Sequence, residues 1–352
     1  MNEKFAFIVE WLDPHAGLTY RYQFLYWPYD GSVEMYDLKN KRAFLKRTKI
    51  PTVSVSDLFI GNVVVVYSRQ LKITEYGDLH TERAFEEARQ RTFVLVPARA
   101  SRSLGKIVNA ATRSGFAVAE LKAAKLLATD ANDMYGDRGD GALVAEVSEG
   151  VSFGMSLVAE SAVSKFAALA TELDAHFGER CVVYSKSDAG AEREKALFFA
   201  LPAASRLSNT TLCLVKPSAM AHLGLVLDGI QREGFEICGA QTFALDRVNA
   251  LEFYEVYKGV VPEFNALVDE ITSGSFVAVE VAGPEGEDGE GVVERFREVA
   301  GPVDPEIARV LRPDSLRARF GFDKVRNAVH CTDLPEDGAL ETHYFFKILQ
   351  EA

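Results

Sequence analysis

The chain has no run approaching the roughly 20 consecutive apolar residues of a membrane span, and no long apolar stretch follows Met1-Asn2-Glu3-Lys4-Phe5. A spanning helix and a secretory or transit leader are therefore not expected. Cysteine is scarce. Cys181, Cys213, Cys238 and Cys331 are the four in 352 residues, and none forms a C-x-x-C pair. That spacing argues against a zinc site or a disulfide framework, so a reduced, intracellular chain holding no metal of its own is expected. Positive charge is in short supply as well, with 39 Lys and Arg against 51 Asp and Glu and a formal net charge of −12. Such a balance lacks the clustered field that neutralises phosphates, and neither nucleic acid nor membrane is an expected partner. The one dense basic run, Lys39 to Arg47, reads as a solvated strand or turn.

What is present is ordinary globular material, 48% hydrophobic and 26% charged, at a length that suits two or three domains. Much of it is repeated. Thr92 to Pro97, then Leu104-Gly105 and Gly115-Phe116, parallel Leu212 to Pro217, then Leu223-Gly224 and Gly234-Phe235, with identical spacing from Leu-Gly to Gly-Phe. Each copy reads as a buried strand, a turn, an amphipathic helix and a Gly-Phe entry into a second strand, which is the opening of a β-α-β unit. Both copies close on a double phenylalanine, Phe198-Phe199 and Phe345-Phe346, at the end of an acid-rich helix. The first copy is about 28 residues shorter, lacking the region that in the second runs from Gly301 to Gly321. Two strand and helix pairs per copy predict two ferredoxin-like (β-α-β-β-α-β) modules.

Residues 1–88 share no part of this repeat. Six alternating segments, Phe5 to Trp11, Thr19 to Trp27, Ser32 to Asp37, Arg42 to Lys46, Val63 to Tyr67 and Leu71 to Tyr76, predict a small β-rich, PH-like domain. Tyr20, Tyr22, Tyr26, Trp27 and Tyr29 are expected to pack in its core or on a sheet face. Glu82 to Arg91 reads as a charged helical linker, and Gly283 to Gly291 as a solvated acidic loop. The expected class is α+β, with domains at 1–88, 89–205 and 206–352.

The chemistry concentrates near the C-terminus, in Asn327-Ala328-Val329-His330-Cys331-Thr332-Asp333. Neutral imidazole is a nucleophile near pH 7, and His330 has a hydroxyl two residues on at Thr332 and a carboxylate eleven residues on at Glu341. Phosphoryl transfer through histidine also needs cations that absorb phosphate charge. Lys216 follows a strand, where an ammonium reaches a phosphate, and Arg297 and Arg317 bring guanidinium forks that suit phosphate oxygens. Asn327 suits a sugar hydroxyl. Cys331 reads as a small buried thiol and His222 as a surface histidine.

The Lys216-Pro217 strand end, the Ser273-Gly274 strand entry, the Arg317 to Gly321 segment and Asn327-Ala328-Val329-His330 resemble nucleoside diphosphate kinases, over 90–350 and twice over. The resemblance implies a ping-pong exchange in which His330 takes the terminal phosphate of a nucleoside triphosphate and returns it to a diphosphate, with Mg2+ on the phosphates. It implies nucleotide contacts for Lys216, Tyr254, Arg297, Arg317 and Asn327, and for Glu341 the role of orienting the histidine. Val303 stands where the family places a phosphate-binding threonine, Glu263 near a base-stacking ring, and Ser218-Ala219 in place of Asp-Gly.

In the first copy the lysine position falls at Val96 or Pro97, Leu173-Asp174-Ala175-His176-Phe177-Gly178 parallels Leu316 to Gly321, and the nucleophile position falls near Tyr184. That module is expected to be silent. The N-terminal pattern, Glu34 to Asp37 and Phe44 to Arg47, resembles the DM-type module of ciliary proteins. The whole arrangement resembles the ciliary branch of the kinase family, which implies a structural component of the ciliary or flagellar axoneme, a microtubule inner protein of the cytoskeleton. Implied partners are tubulin, other microtubule inner proteins and the γ-tubulin complex; the alternative is an active kinase, cytoplasmic as well as ciliary, working through the second module.

Overall fold

The computed structural model describes residues 3–13, 16–67, 69–88, 90–283 and 289–351. The alternating N-terminal segments form six antiparallel strands: β1 (Phe5–Asp13), β2 (Leu18–Trp27), β3 (Ser32–Asp37), β4 (Arg42–Lys49), β5 (Val63–Val66) and β6 (Arg69–Tyr76). Their sheet order is β4-β3-β2-β1-β6-β5. One side of the period-2 pattern supplies a core containing Phe7, Phe24, Val33, Leu71 and Ile73. In the tyrosine-rich stretch Tyr22, Tyr26 and Trp27 are buried, while Tyr29, past the end of β2, is 91% exposed. Helix α1 (Leu79–Ala88) closes the core with Phe85, edge-on to Phe5 and Phe7 at 4.7 and 5.2 Å. The helical linker thus starts three residues before Glu82, and Gln90 and Arg91 already belong to the next strand.

The repeat follows. Its first copy runs β7 (Gln90–Val96), α2 (Leu104–Arg113), β8 (Ala117–Lys125), α3 (Ala128–Tyr135), α4 (Gly141–Val147), β9 (Val151–Ala159), α5 (Ala162–Phe177), β10 (Val183–Tyr184) and α6 (Asp188–Ala200). The second runs β11 (Thr210–Val215), α7 (Leu223–Arg232), β12 (Glu236–Phe243), α8 (Arg247–Phe253), α9 (Phe264–Ile271), β13 (Phe276–Ala282), α10 (Gly289–Ala300), α11 (Pro305–Leu311), α12 (Leu316–Phe320), β14 (Val329–Cys331) and α13 (Gly338–His343). Of the acidic loop, 284–288 lie outside the described residues and Gly289 begins α10.

Eight strands form one sheet in the order β10-β7-β9-β8-β12-β13-β11-β14, two ferredoxin-like halves joined where Gln241 of β12 pairs Lys122 of β8. Both Gly-Phe entries need their glycine. Gly115 and Gly234 sit at φ of 81° and 82°, the left-handed region, where they turn the chain from helix into strand. The Leu-Gly pairs serve a different purpose, because α2 and α7 cross at Gly105 and Gly224. A Cβ on Gly105 would lie 2.1 Å from the backbone N of Asp228, and one on Gly224 2.2 Å from that of Asn109. Gln231 stitches the same crossing, accepting from Gly105 N at 2.9 Å and donating to Ser101 O at 2.7 Å.

In space the chain forms two compact units, one of 1–89 with 244–275, the other of 90–243 with 276–352. The two repeats therefore share one unit, while α8 and α9 belong with the N-terminal sheet. Gln70 Nε2 holds that excursion, donating to the carbonyls of Leu245 and Thr272. Among the described residues no helix is long and apolar enough to cross a membrane.

Candidate active site

β11 is buried along its whole length, a run of six residues, Thr210 to Val215, packed on both faces. It ends at Lys216-Pro217, where proline's missing N–H and fixed φ stop the ladder and open a 3-10 turn. Beside it lies β14, antiparallel, with Leu214 opposite His330 and Cys213 opposite Cys331. The chain enters β14 through a three-residue turn in which Val329 N donates to Asn327 O at 2.9 Å and Ala328 takes φ of 70°. An L-residue in that conformation is strained by about 1–3 kcal/mol, and such strain concentrates where a side chain must be aimed.

Side chains two apart on a strand share a face, so His330 and Thr332 point the same way. Both meet Glu341 of α13. His330 Nε2 lies 3.0 Å from Glu341 Oε2, and Thr332 Oγ1 donates to the same oxygen at 2.8 Å. Helix α13 comes this close because it starts at Gly338, where a Cβ would lie 2.9 Å from the carbonyl of Thr210. The His330 side chain is only 7% exposed, that of Glu341 16%. A carboxylate accepts, so it selects the tautomer with hydrogen on Nε2 and leaves the lone pair on Nδ1.

Lys216 and Asn327, both buried, form a supporting pair. Lys216 Nζ donates to Asn327 Oδ1 and to Val325 O, each at 2.8 Å, and Asn327 Nδ2 donates to Val303 O at 3.1 Å. Arg317 is buried too. Its Nη1 donates to Gly301 O at 2.7 Å, its Nε to Val329 O at 3.2 Å, and its Nη2 lies 3.6 Å from Cys331 Sγ. A guanidinium has five N–H groups, so this bracing leaves two for the cavity that Arg317 helps to line. The cavity holds about 320 Å³ and is lined also by Arg297, Arg312, Val303 and Asp333. Arg297 is exposed there and makes no ion pair among the described residues. Because Arg317 grips the residues on either side of His330, the cavity and the nucleophile are held by one side chain. Burial pushes the Cys331 thiol up, as expected of an inert packing thiol rather than a reactive one.

Six of the seven site residues expected from sequence thus lie in one compact unit. Tyr254 lies in the other, buried against Phe253 and Tyr257 with ring centroids at 5.0 and 5.8 Å. Asp333 and Arg312 are cavity residues that sequence reasoning missed. Asp333 carried a signal, since it closes the heptapeptide of His330; Arg312 carried none.

Residues 1–87 match the family model "Nucleoside diphosphate kinase 7 N-terminal PH domain", and 209–350 match "Nucleoside diphosphate kinase". The chain is 42% identical to nucleoside diphosphate kinase homolog 7 of Rattus norvegicus over 377 aligned positions, covering 99% of this chain and 94% of the relative. It belongs to the nucleoside diphosphate kinase homolog 7 family. The nucleoside diphosphate kinase of Aquifex aeolicus is 40% identical over 142 residues, 40% of this chain and 95% of that protein. A crystal structure of the Aquifex aeolicus enzyme, 39% identical, covers 40% of this chain and 96% of its own, with a TM-score of 0.37. The α+β expectation, a PH-like domain followed by kinase modules, stands.

In this homolog 7 member the first module has a rebuilt site. Pro97 caps the turn after β7 as Lys216 does after β11, so the lysine position is Pro97. Val183 faces Leu95 in the register that sets His330 against Leu214, so the nucleophile position is Val183, one residue before the expected Tyr184. The match of Leu173 to Gly178 with the Arg317 segment is corrected: those residues end α5, the helix directly after β9, whose counterpart is α10. Gly178 and Gly301 both end their helices at positive φ, 96° and 81°, and among the described residues nothing in the first module corresponds to α11 and α12.

One part of the triad survives there. Eleven residues past Val183 stands Glu194, and Ser185 Oγ donates to it at 2.7 Å as Thr332 does to Glu341. The histidine's place on that carboxylate is taken by Arg138, whose Nη2 lies 2.5 Å from Glu194 Oε1 and also donates to Tyr184 O at 3.2 Å. The Arg138 guanidinium rests on the Tyr135 ring at 4.6 Å. A buried acid left without its histidine is thus neutralised by an internal cation.

Proposed function

We propose that the second module is a phosphotransfer site that passes the terminal phosphate of a nucleoside triphosphate to a nucleoside diphosphate through His330. The observation that carries this reading is the shared Glu341 oxygen, which fixes His330 through Nε2 and is itself braced by Thr332. In the first half-reaction the Nδ1 lone pair attacks the terminal phosphorus, the bond from that phosphorus to the bridging oxygen breaks, and its electron pair leaves with the diphosphate. The imidazole gains positive charge while keeping its Nε2 proton, and Glu341 stabilises that charge at 3.0 Å. The second half-reaction reverses these steps onto a different diphosphate. Arg297 and the two remaining N–H groups of Arg317 supply the cations that absorb charge on the transferring group, while Lys216 holds the Val325 carbonyl and Asn327 the Val303 carbonyl.

Among the described residues no cluster of three or more His, Cys, Asp or Glu is arranged to hold a metal. Mg2+ bound to the nucleotide phosphates would supply charge neutralisation there, and Asp333, Glu294 and Glu298 are the carboxylates that line the cavity. Val303 has no hydroxyl to offer a phosphate, and one such contact is worth about 1–3 kcal/mol, so nucleotide binds about one to two decades more weakly than with threonine. The test is the exchange of labelled phosphate from ATP to a second nucleoside diphosphate. Turnover in the native chain and none in His330→Asn supports the reading; turnover that survives His330→Asn rules it out.

A second reading is structural, favoured by the first module, which has exchanged its nucleophile for Val183 yet shares a continuous sheet and a glycine-tight helix crossing with the second. A module kept for its surfaces suits a component of the ciliary or flagellar axoneme, a microtubule inner protein contacting tubulin and other inner proteins, with the γ-tubulin complex a further partner. Rescue of cells lacking the protein with His330→Ala separates the readings. Normal doublets and beating make the scaffold primary; correct localisation with defective beating makes the chemistry primary.

A further inference from the structure

The basic run of the N-terminal sheet has no task in either reading. Lys39, Lys41, Arg42, Lys46, Arg47 and Lys49 occupy eleven consecutive positions without one acid, in a chain whose net charge is −12. All six are exposed, on the turn between β3 and β4 and on β4, which forms the edge of its sheet. Among the described residues only Arg47 is spoken for: it pairs with Asp30 at 2.8 Å, donates to Ser32 Oγ at 2.7 Å and lies 4.2 Å over the Trp27 ring. The other five make no ion pair among the described residues. The nearby carboxylate of Asp37 is turned into the loop, accepting from the backbone N–H groups of Lys39 and Asn40 and from the Asn40 side chain. Glu34, across the ladder from the bulged part of β4, does not pair with them either.

The shape of the patch narrows its ligand. The register slips twice between β3 and β4, and such bulges twist an edge away from strand addition, so recognition falls to side chains rather than to backbone pairing. Successive strand residues point to opposite faces, so the cations flank the edge on both sides as a ribbon. A flat bilayer meets only one face of such a ribbon. Of the neighbouring apolar groups, Phe44, 40% exposed, packs against Tyr22 at 4.6 Å under the guanidinium of Arg69 at 5.1 Å, and Leu38 and Tyr36 are 38% and 37% exposed, so none of the three offers a whole side chain to a bilayer. The chain's net charge of −12 opposes a long polyanion such as nucleic acid. We propose that the β3–β4 turn and the exposed edge of β4 bind an acidic, extended polypeptide segment through side-chain ion pairs. Ten residues of such a segment span about 33 Å, enough to cover the eight-residue strand and its turn.

The test uses the full-length chain and a fluorescein-labelled deca-glutamate peptide, followed by anisotropy at low and moderate salt. Phosphatidylserine vesicles and a single-stranded 20-nucleotide DNA serve as the competing polyanions. Binding should fall at least tenfold with Lys41→Glu, Arg42→Glu and Lys46→Glu together, persist when Lys41 and Lys46 become arginine, and weaken as salt rises. Near-UV circular dichroism of the reversed variant, which reports Trp27, should match the native chain, since Arg47 and Asp30 are left alone. Failure of deca-glutamate to bind at low salt would overturn the proposal. So would affinity unchanged by the charge reversal, or patch-dependent binding confined to the vesicles or the DNA.

Discussion

Replacing Gly105 by alanine removes helix-destabilising glycine from the first turn of α2, and in an exposed helix that change stabilises by at most about 1 kcal/mol. The opposite sign is expected here. The new Cβ would sit 2.1 Å from Asp228 N, 2.5 Å from Asp228 Cα and 2.6 Å from Leu227 C, all backbone atoms of α7 that no rotamer change can move. An ordinary contact needs about 3.5 Å, so the two helices must separate by roughly an ångström, straining the Gln231 bonds to Gly105 and Ser101 as they go. Overpacking of this kind costs typically about 1–3 kcal/mol, and with backbone on both sides the upper end applies, leaving a net loss of about 2 kcal/mol after the propensity gain. For a unit of this size that is a drop of about 4–8 °C in Tm, measured by thermal melting. Gly224→Ala should behave alike, since its Cβ meets Asn109 and Val108 backbone at 2.2–2.8 Å. Because one displacement relieves both clashes, the double variant should lose clearly less than the sum. A higher Tm for either single variant, or full additivity, would refute the glycine-tight crossing.

Arg138→Ala should cost about 3 kcal/mol in urea unfolding by leaving Glu194, with a side chain 3% exposed, as an uncompensated buried acid, whereas Arg138→Met combined with Glu194→Leu should be close to neutral. Glu341→Gln should lower the kcat of phosphate exchange by roughly 100-fold with little change in KM, because the lost charge stabilises an imidazolium that forms only as the phosphate is taken up. Val303→Thr should tighten nucleotide binding about tenfold in calorimetry. The Asn40 backbone and side-chain N–H groups, together with that of Lys39, hold the Asp37 carboxyl below its ordinary value of 3.8. A depressed folded value means that its contribution is complete above the ordinary range and lost as pH falls through the folded value. Hydrogen exchange at the Lys39 and Asn40 amides should therefore speed up only as the solution becomes more acidic than pH 3.8.

The parts of this fold that were legible in sequence are those where the backbone leaves no alternative. Leu104-Gly105 with Gly115-Phe116 and their second copies announce themselves because one glycine of each pair answers to a helix crossing and the other to a left-handed turn. The six N-terminal strands appear nearly at their observed bounds because turns and period-2 alternation agree. His330, Thr332 and Glu341 could be picked out together since two positions along a strand and one turn into a helix are local separations. The errors come from non-local geometry. Leu173 to Gly178 imitates Leu316 to Gly321 because any amphipathic helix ending in glycine carries that pattern, and only the element order shows that α5 precedes β10 directly. The expectation near Tyr184 is good to about one residue, and the choice of Val183 within it needs the pairing to β7. Arg138 stands in for a histidine from a turn far away in sequence, and no spacing rule points to it. The grouping of Tyr254 with the N-terminal sheet likewise follows from contacts and not from its neighbours along the chain.

The most direct test of the central claim, that His330 Nδ1 is the nucleophile, is the phosphoprotein itself. Incubation of the full-length chain with γ-labelled ATP should give a covalent phosphate that is labile in acid and stable in alkali, mapped to His330 by mass spectrometry, chased off by added nucleoside diphosphate, lost in His330→Asn and kept in Tyr184→Phe and Val183→Ala. An acid-stable label, or a label that persists in His330→Asn, would contradict the account.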